Sequence, residues 1–207
     1  MKQLIVAILV LVGTSEVFSQ GFERFGMKGD TAPSGITVGS KAPNFIAIDQ
    51  FDNPVELAAE LKKGPVVLIF YRGAWCPYCV RYLQNVTDSI SFIQEVGASV
   101  YAVTPQLSEG ISAVSDKTDG QIPILHDQNG DIMNMYDGSF EVTEKYQERV
   151  ASKKMNLAES NGQEVAALPV PATYVIDASG VILYRHFDVD YKKRATVAAI
   201  IHAFESE

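Results

Sequence analysis

The chain has 207 residues, 47% of them hydrophobic, enough for one globular domain whose core needs no disulfide to hold it together. Seventeen Lys and Arg against twenty-five Asp and Glu give a formal net charge of −8. No basic run or stripe offsets that balance, which argues against nucleic acid as a partner; the acidity otherwise reads as a solvated surface.

In chain order, the first object is a short targeting pattern. One positive charge in "MKQ" is followed by the unbroken apolar run Leu4 to Val12, and then by "GTSEVFSQ", where Val17 and Ser19 suit the positions before a cleavage. A membrane-spanning helix needs about 20 apolar residues, so the run is too short to be one. Residues 1–19 are expected to be a secretory signal peptide, and the protein to be extracytoplasmic, in a periplasm-like compartment. Residues 20–40, rich in Gly, Ser, Thr and Pro without an apolar period, are expected to be a flexible leader before a domain over 41–207.

Within that domain "APNFIAID" predicts an edge strand, and "NPVELAAELKKG" a short helix capped by Asn53, with Pro54 at its first position. "PVVLIFYR" (Pro65 to Arg72) is continuously apolar and suits a strand covered on both faces of a sheet. Val80, Leu83, Val86, Ile90 and Ile93 then recur at steps of three and four, predicting one amphipathic helix that runs to Gly97. "ASVYAVT" and "IPILHD" predict further strands, with a helix over "QLSEGISAVSDKTDG" between them and a helical turn in "QNGDIMNMYD" after them. Residues 138–168 break the rhythm and are expected to be a helical insertion, with Val142, Tyr146 and Val150 on one face and "LAESNGQEVAA" as a loop. "TYVID" and "VILYRHF" around "ASG" predict a hairpin, and "YKKRATVAAIIHAFES" a last helix. The sum is an α/β domain, a mixed sheet with helices on both faces.

The chain has two cysteines, Cys76 and Cys79, in "RGAWCPYC". As a staple they would close a loop worth about 2 kcal/mol and join no two elements. A structural metal site takes about four ligands, and His126, His186 and His202 show no ligand spacing, so no metal or other cofactor is expected. A redox pair accounts for the placement. A buried strand runs into a bend and then into the first turn of a helix, where free backbone N–H groups and the helix dipole favour a thiolate. Cys76 opens that turn, Pro77 suits the first helical position, and Cys79 comes round to the same face. Trp75 would shield one side or simply pack in the core.

With these residues in place the sequence resembles the thioredoxin superfamily, and within it the peroxiredoxin-like alkyl hydroperoxide reductase/thiol-specific antioxidant family. "FYRGAWCPYC", "VTPQ" (Val103 to Gln106), "LPVPATYVID" (Leu168 to Asp177) and "DVDYKKR" (Asp188 to Arg194) carry the resemblance across nearly all of the chain after its first forty residues. It implies a thioredoxin-like fold and a cis-proline at Pro171, with the backbone of Val170 beside the cysteines and open to an incoming chain. Two family patterns assign the thiols differently. The peroxiredoxin pattern P-x-x-x-T-x-x-C lays Arg72 on its proline, Cys76 on its threonine and Cys79 on the cysteine that attacks peroxide. The thioredoxin pattern makes Cys76 the attacking thiol and Cys79 the resolving one. Pro171 also stands where peroxiredoxins place an arginine near their thiolate, leaving Arg72 and Arg81 as nearby cations. Phe70 replaces the buried acid of thioredoxins.

The resemblance implies an antioxidant thiol oxidoreductase that reduces hydroperoxides through a Cys76–Cys79 dithiol–disulfide cycle within one chain. Trp75, Pro77, Pro171 and Arg72 would support it, and an extracytoplasmic thiol reductant would restore the dithiol. A protein disulfide reductase or oxidase, and a non-catalytic binding module on the same scaffold, are the alternative expectations.

Overall fold

A computed structural model describes residues 21–152 and 155–205. The targeting pattern over 1–19 lies outside the described residues. A seven-stranded mixed sheet forms the centre, in the order β2-β1-β5-β4-β3-β8-β9. Its strands are β1 (Ile46–Ile48), β2 (Pro54–Glu56), β3 (Val66–Phe70), β4 (Ser99–Thr104), β5 (Ile124–His126), β8 (Ala172–Ile176) and β9 (Ile182–Phe187). β3 is parallel to β4 and antiparallel to β8, so it is paired along both edges at the middle of the sheet. This is why its sequence is apolar throughout rather than alternating.

The pleat of β3 divides the core. Val67 and Ile69 face one side, packed with Leu83 and Val86 of α2 (Pro77–Thr87), Ile93 of α3 (Ile90–Glu95), Val114 of α4 (Ser108–Ser115) and Ile200 of α8 (Val197–Glu205). Val66, Leu68 and Phe70 face the other, against Leu57 and Leu61 of α1 (Leu57–Leu61) and Ile132 and Met133 of α5 (Asp131–Met135). The mixed sheet with helices on both faces is the thioredoxin-like architecture that the resemblance implied. Among the described residues no helix is long and apolar enough to cross a membrane.

Several boundaries differ from the sequence reading. Pro54 is not the first residue of a helix: Val55 pairs with Ala47, and β2 occupies Pro54–Glu56 before α1 starts at Leu57. The edge strand is therefore β2, with β1 one place inside it. The expected long helix is two, α2 and α3, broken at Asp88–Ser89. There the Thr87 hydroxyl donates back to the Leu83 carbonyl at 2.9 Å, and Ser89 N–H donates to the Val86 carbonyl at 3.1 Å. Such local bonds compete with the helical ladder.

The insertion contains β structure as well as helix. β6 (Ser139–Glu141) pairs antiparallel with β7 (Ala167–Pro169), enclosing α6 (Glu144–Ala151) and α7 (Leu157–Ser160). Thr143 caps α6 by accepting from Tyr146 N–H, and Asn156 caps α7, so part of the expected loop is helical. The stretch read as a flexible leader packs onto this annex. Met27 bridges Val142, is 1% exposed, and shares an apolar cluster with Phe140, Tyr146 and Leu168. The compositional cue failed because Phe25 and Met27 are buried anchors between turn residues.

Met27→Ala removes side-chain atoms from a packed site and should destabilise the fold by about 2 kcal/mol or more, read as a lower urea midpoint with an unchanged slope. An unshifted midpoint would mean that 21–40 is not part of the packed unit.

Candidate active site

β3 ends at Phe70, and the chain bends through Gly73 before α2 begins at Pro77. Gly73 sits at φ +143°, and a Cβ there would lie 2.6 Å from the Gln106 side-chain oxygen. That oxygen accepts the Ala74 N–H at 2.5 Å, so the bend is pinned to the segment after β4 only because residue 73 is glycine. Cys76 is the N-cap of α2; its carbonyl accepts from Cys79 N–H at 3.0 Å and Val80 N–H at 3.1 Å. Pro77 takes the first helical position, where it has no N–H to leave unpaired. Both cysteines are free thiols, 1% and 0% exposed.

Each sulfur is held by a guanidinium. Arg72 Nη2 is 3.2 Å from Cys76 Sγ, and Arg194 Nη2 is 3.1 Å from Cys79 Sγ. Arg72 is 2% exposed inside an aromatic enclosure: its guanidinium carbon is 3.6 Å from the Tyr191 ring centre and 5.0 Å from that of Trp75, and Nη1 donates to Tyr146 Oη at 2.8 Å. Arg194, half-buried, is oriented by Nε donating to the Tyr191 carbonyl at 3.0 Å. Neither arginine has a carboxylate partner among the described residues. Buried cations need a negative counterpart, and the sulfurs are what they face.

The surroundings of the pair favour a negative charge on Cys79 over one on Cys76. Burial opposes the charge at Cys79, but the hydrogen bond from Cys76, the positive fields of Arg194 and Arg72, and the Arg72 backbone N–H together hold the thiol well below its ordinary range. Cys76 is pushed up, first by donating to Cys79, then by burial and by the neighbouring negative charge, with Arg72 acting against these. The helix N-terminus alone points to a thiolate at Cys76; Arg194, 3.1 Å from Cys79 Sγ, adds a positive charge at the other thiol.

The two thiols differ in access as well. A cavity of about 350 Å³ opens onto Cys76, walled by Arg72, Trp75, Tyr78, Tyr146, Val150 and Tyr191. Cys79 does not line it and is fully buried. The arrangement thus opens one thiol onto a cleft and keeps the thiol favoured as the anion buried in the same helical turn.

The AhpC/TSA family model matches residues 38–185, more than half of the chain. The chain belongs to the AhpC/TSA family. A Mycobacterium tuberculosis protein named for the peroxiredoxins is 23% identical over 159 residues, 77% of this chain and 90% of that one. The thiol-disulfide oxidoreductase ResA of Bacillus thuringiensis is 23% identical over 107 residues, 51% of this chain and 61% of that one. Among solved structures, peroxidoxin BcpB of Mycobacterium tuberculosis has the same fold, with a TM-score of 0.64 at 20% identity over 83% of this chain and 97% of that one.

For a member of the AhpC/TSA family this site departs from expectation at Pro171. No peptide bond among the described residues is cis, so the Val170–Pro171 bond is trans. β7 leads through Pro171 into β8 without the tight turn that favours a cis bond, and Val170 N–H already donates to the Gly138 carbonyl at 2.7 Å. Neither residue lines the cleft, so the backbone of Val170 is not open to an incoming chain. Arg72, Trp75 and Pro77 do line it. Arg81 is exposed and touches neither sulfur, leaving Arg72 and Arg194 as the site's cations. Sequence reasoning missed Arg194 and Tyr146. The signals were present: Arg194 closes "DVDYKKR", and Tyr146 lies on the apolar face read for the insertion. Among the described residues no cluster of His, Cys, Asp or Glu could hold a metal.

Thiolate absorbance near 240 nm in the reduced protein should titrate as one step well below the ordinary thiol value of about 8.5. Arg194→Gln should move that step up by about one pH unit, since a unit corresponds to about 1.4 kcal/mol of lost charge stabilisation. A step that stays in place in the variant would assign the anion elsewhere.

Proposed function

We propose that the protein is a thiol peroxidase in which Cys76 attacks a hydroperoxide and Cys79 serves first as its proton acceptor and then as its resolving thiol. The observation that carries this reading is the position of Cys76 on the cleft, with Cys79 in the same first turn of α2 and its sulfur 3.1 Å from Arg194 Nη2. As a peroxide enters, the Cys76 proton passes to Cys79, and Arg72 at 3.2 Å stabilises the Cys76 thiolate that results. That sulfur attacks the outer peroxide oxygen. The O–O bond breaks, and the departing alkoxide takes the proton from Cys79 and leaves as the alcohol, with Cys76 now a sulfenic acid and Cys79 again a thiolate. Cys79 then attacks the Cys76 sulfur, an S–S bond forms, and the displaced hydroxide leaves as water after taking a proton from solvent. One hydroperoxide is thereby reduced by two electrons and the dithiol oxidised by two.

Membership of the AhpC/TSA family and similarity to peroxiredoxin-named proteins support this reading. Internal resolution needs no second subunit, because both thiols sit in the first turn of α2. The pattern over residues 1–19 supports export, so that the disulfide would be returned to the dithiol by an extracytoplasmic thiol reductant. The C-x-x-C spacing and the similarity to ResA favour protein disulfides as a second substrate class, which insulin reduction would detect.

Stopped-flow oxidation of the reduced protein by hydrogen peroxide, followed through the fluorescence of Trp75, separates the roles. Cys76→Ser should abolish the reaction, since Cys79 is fully buried and does not line the cleft. Cys79→Ser should still form a sulfenic acid at Cys76, trappable by dimedone, with the rate near neutral pH down by about two orders of magnitude for want of the internal base. Retained peroxide reactivity in Cys76→Ser would reverse the assignment.

A further inference from the structure

The cleft has an annex that the peroxide chemistry leaves unused. A second cavity, of about 650 Å³, shares Tyr146 and Arg149 with it and is otherwise bordered by Glu23, Arg24 and Lys145. The protein is acidic, with a net charge of −8, yet these two adjoining spaces, which have Tyr146 and Arg149 in common, are bordered by Arg24, Arg72, Lys145 and Arg149 against a single carboxylate, Glu23. Glu23 is 3.7 Å from Lys145, an exposed pair of the kind worth little. The two outer arginines have no carboxylate partner among the described residues. Each instead lies on an aromatic ring, Arg24 at 4.5 Å from the centre of Phe25 and Arg149 at 4.3 Å from that of Tyr146. Stacking fixes a guanidinium by its face and leaves its N–H edges available, the geometry in which it grips a carboxylate.

Tyr146 joins the two spaces. Its hydroxyl accepts from Arg72, which touches Cys76, while its ring carries Arg149. Between the sulfur and the outer cations the cleft wall is apolar or aromatic, formed by Trp75, Tyr78, Val150 and Met155. A ligand laid along this path meets a reactive sulfur at one end, an apolar passage, and a positive pocket at the other. We propose that the outer pocket anchors the carboxylate of an amphiphilic organic hydroperoxide, so that the protein prefers carboxylate-bearing peroxides to neutral ones of the same shape. The inference rests on the peroxidase reading of Cys76. The reaction is the one already balanced: the hydroperoxide group is reduced to an alcohol, and the carboxylate end takes no part beyond binding.

The test compares linoleic acid hydroperoxide with its methyl ester, both below their aggregation concentrations, by the rate constant for oxidising the reduced protein. The acid should react about fivefold faster than the ester, the size expected for an exposed, partly screened charge contact. Replacing both outer arginines, Arg24→Gln with Arg149→Gln, should bring the ratio to about one, as should about 0.5 M NaCl by screening. Lys62→Gln, at an exposed cation just after α1 that lines neither cavity, controls for net charge and should keep the wild-type ratio. A wild-type ratio of one, or an unchanged ratio in the double variant, overturns the anchor while leaving the peroxidase intact. If no peroxide oxidises the dithiol, the peroxidase reading has failed, and unreactive probes then decide the anchor alone. Decanoate should quench Trp75 at about fivefold lower concentration than decanol, with the difference lost in the double variant; equal titrations would overturn the inference.

Discussion

A guanidinium sealed from water has to face a negative charge or lose several kcal/mol, about 3–5 when a buried partner is taken away. Around Cys76 and Cys79 one such cation, Arg72, and a half-buried one, Arg194, converge, and no carboxylate among the described residues answers either of them. That requirement organises the surroundings. Arg72 leaves β3 at the end of the central sheet and is enclosed by Trp75 from the bend, Tyr146 from the annex and Tyr191 from the segment after β9. Arg194 reaches in from that same late segment and is tethered to the Tyr191 carbonyl. The thiolate charge thus ties the middle of the sheet, the insertion and the C-terminal segment to one point.

Much of this was legible in the sequence, and what escaped did so for identifiable reasons. The unbroken apolar run of β3 marked a strand covered on both faces, and the bend, proline and paired cysteines marked the start of a helix. Those signals are local, fixed by period and by one residue's backbone preference. The position of Arg194 beside Cys79 depends on a tertiary approach across 115 residues, which no period encodes. The same holds for Met27, buried by an annex strand that pairs far along the chain, and for Tyr146, whose hydroxyl was read only as part of a helical face. The break between α2 and α3 is a local failure. The apolar steps continue through Asp88 and Ser89, and the hydrogen-bonding residues at the break were the weaker cue.

The trans link before β8 shows how a family expectation can lose its physical basis in one member. A cis-proline leaves a strand edge near the cysteines unpaired, ready for another chain. Here β6 pairs with β7, and Gly138 accepts the N–H of Val170, so the edge is already used internally. The annex that closes that edge also supplies Tyr146, Val150 and Arg149 to the cleft. The same insertion therefore both occupies that edge and walls the cleft.

Pairing two fixed cations with a dithiol makes the local charge depend on the electron count. With one thiolate between Arg72 and Arg194 the centre carries a single net positive charge; joining the sulfurs removes the anion, and two positive charges then stand unanswered, one buried at Arg72 and one half-buried at Arg194. An approaching donor whose sulfur is ionised is drawn more strongly to this electron-poor form than to the one it regenerates. Once the donor's electrons arrive, the attraction that brought it weakens, which favours its departure.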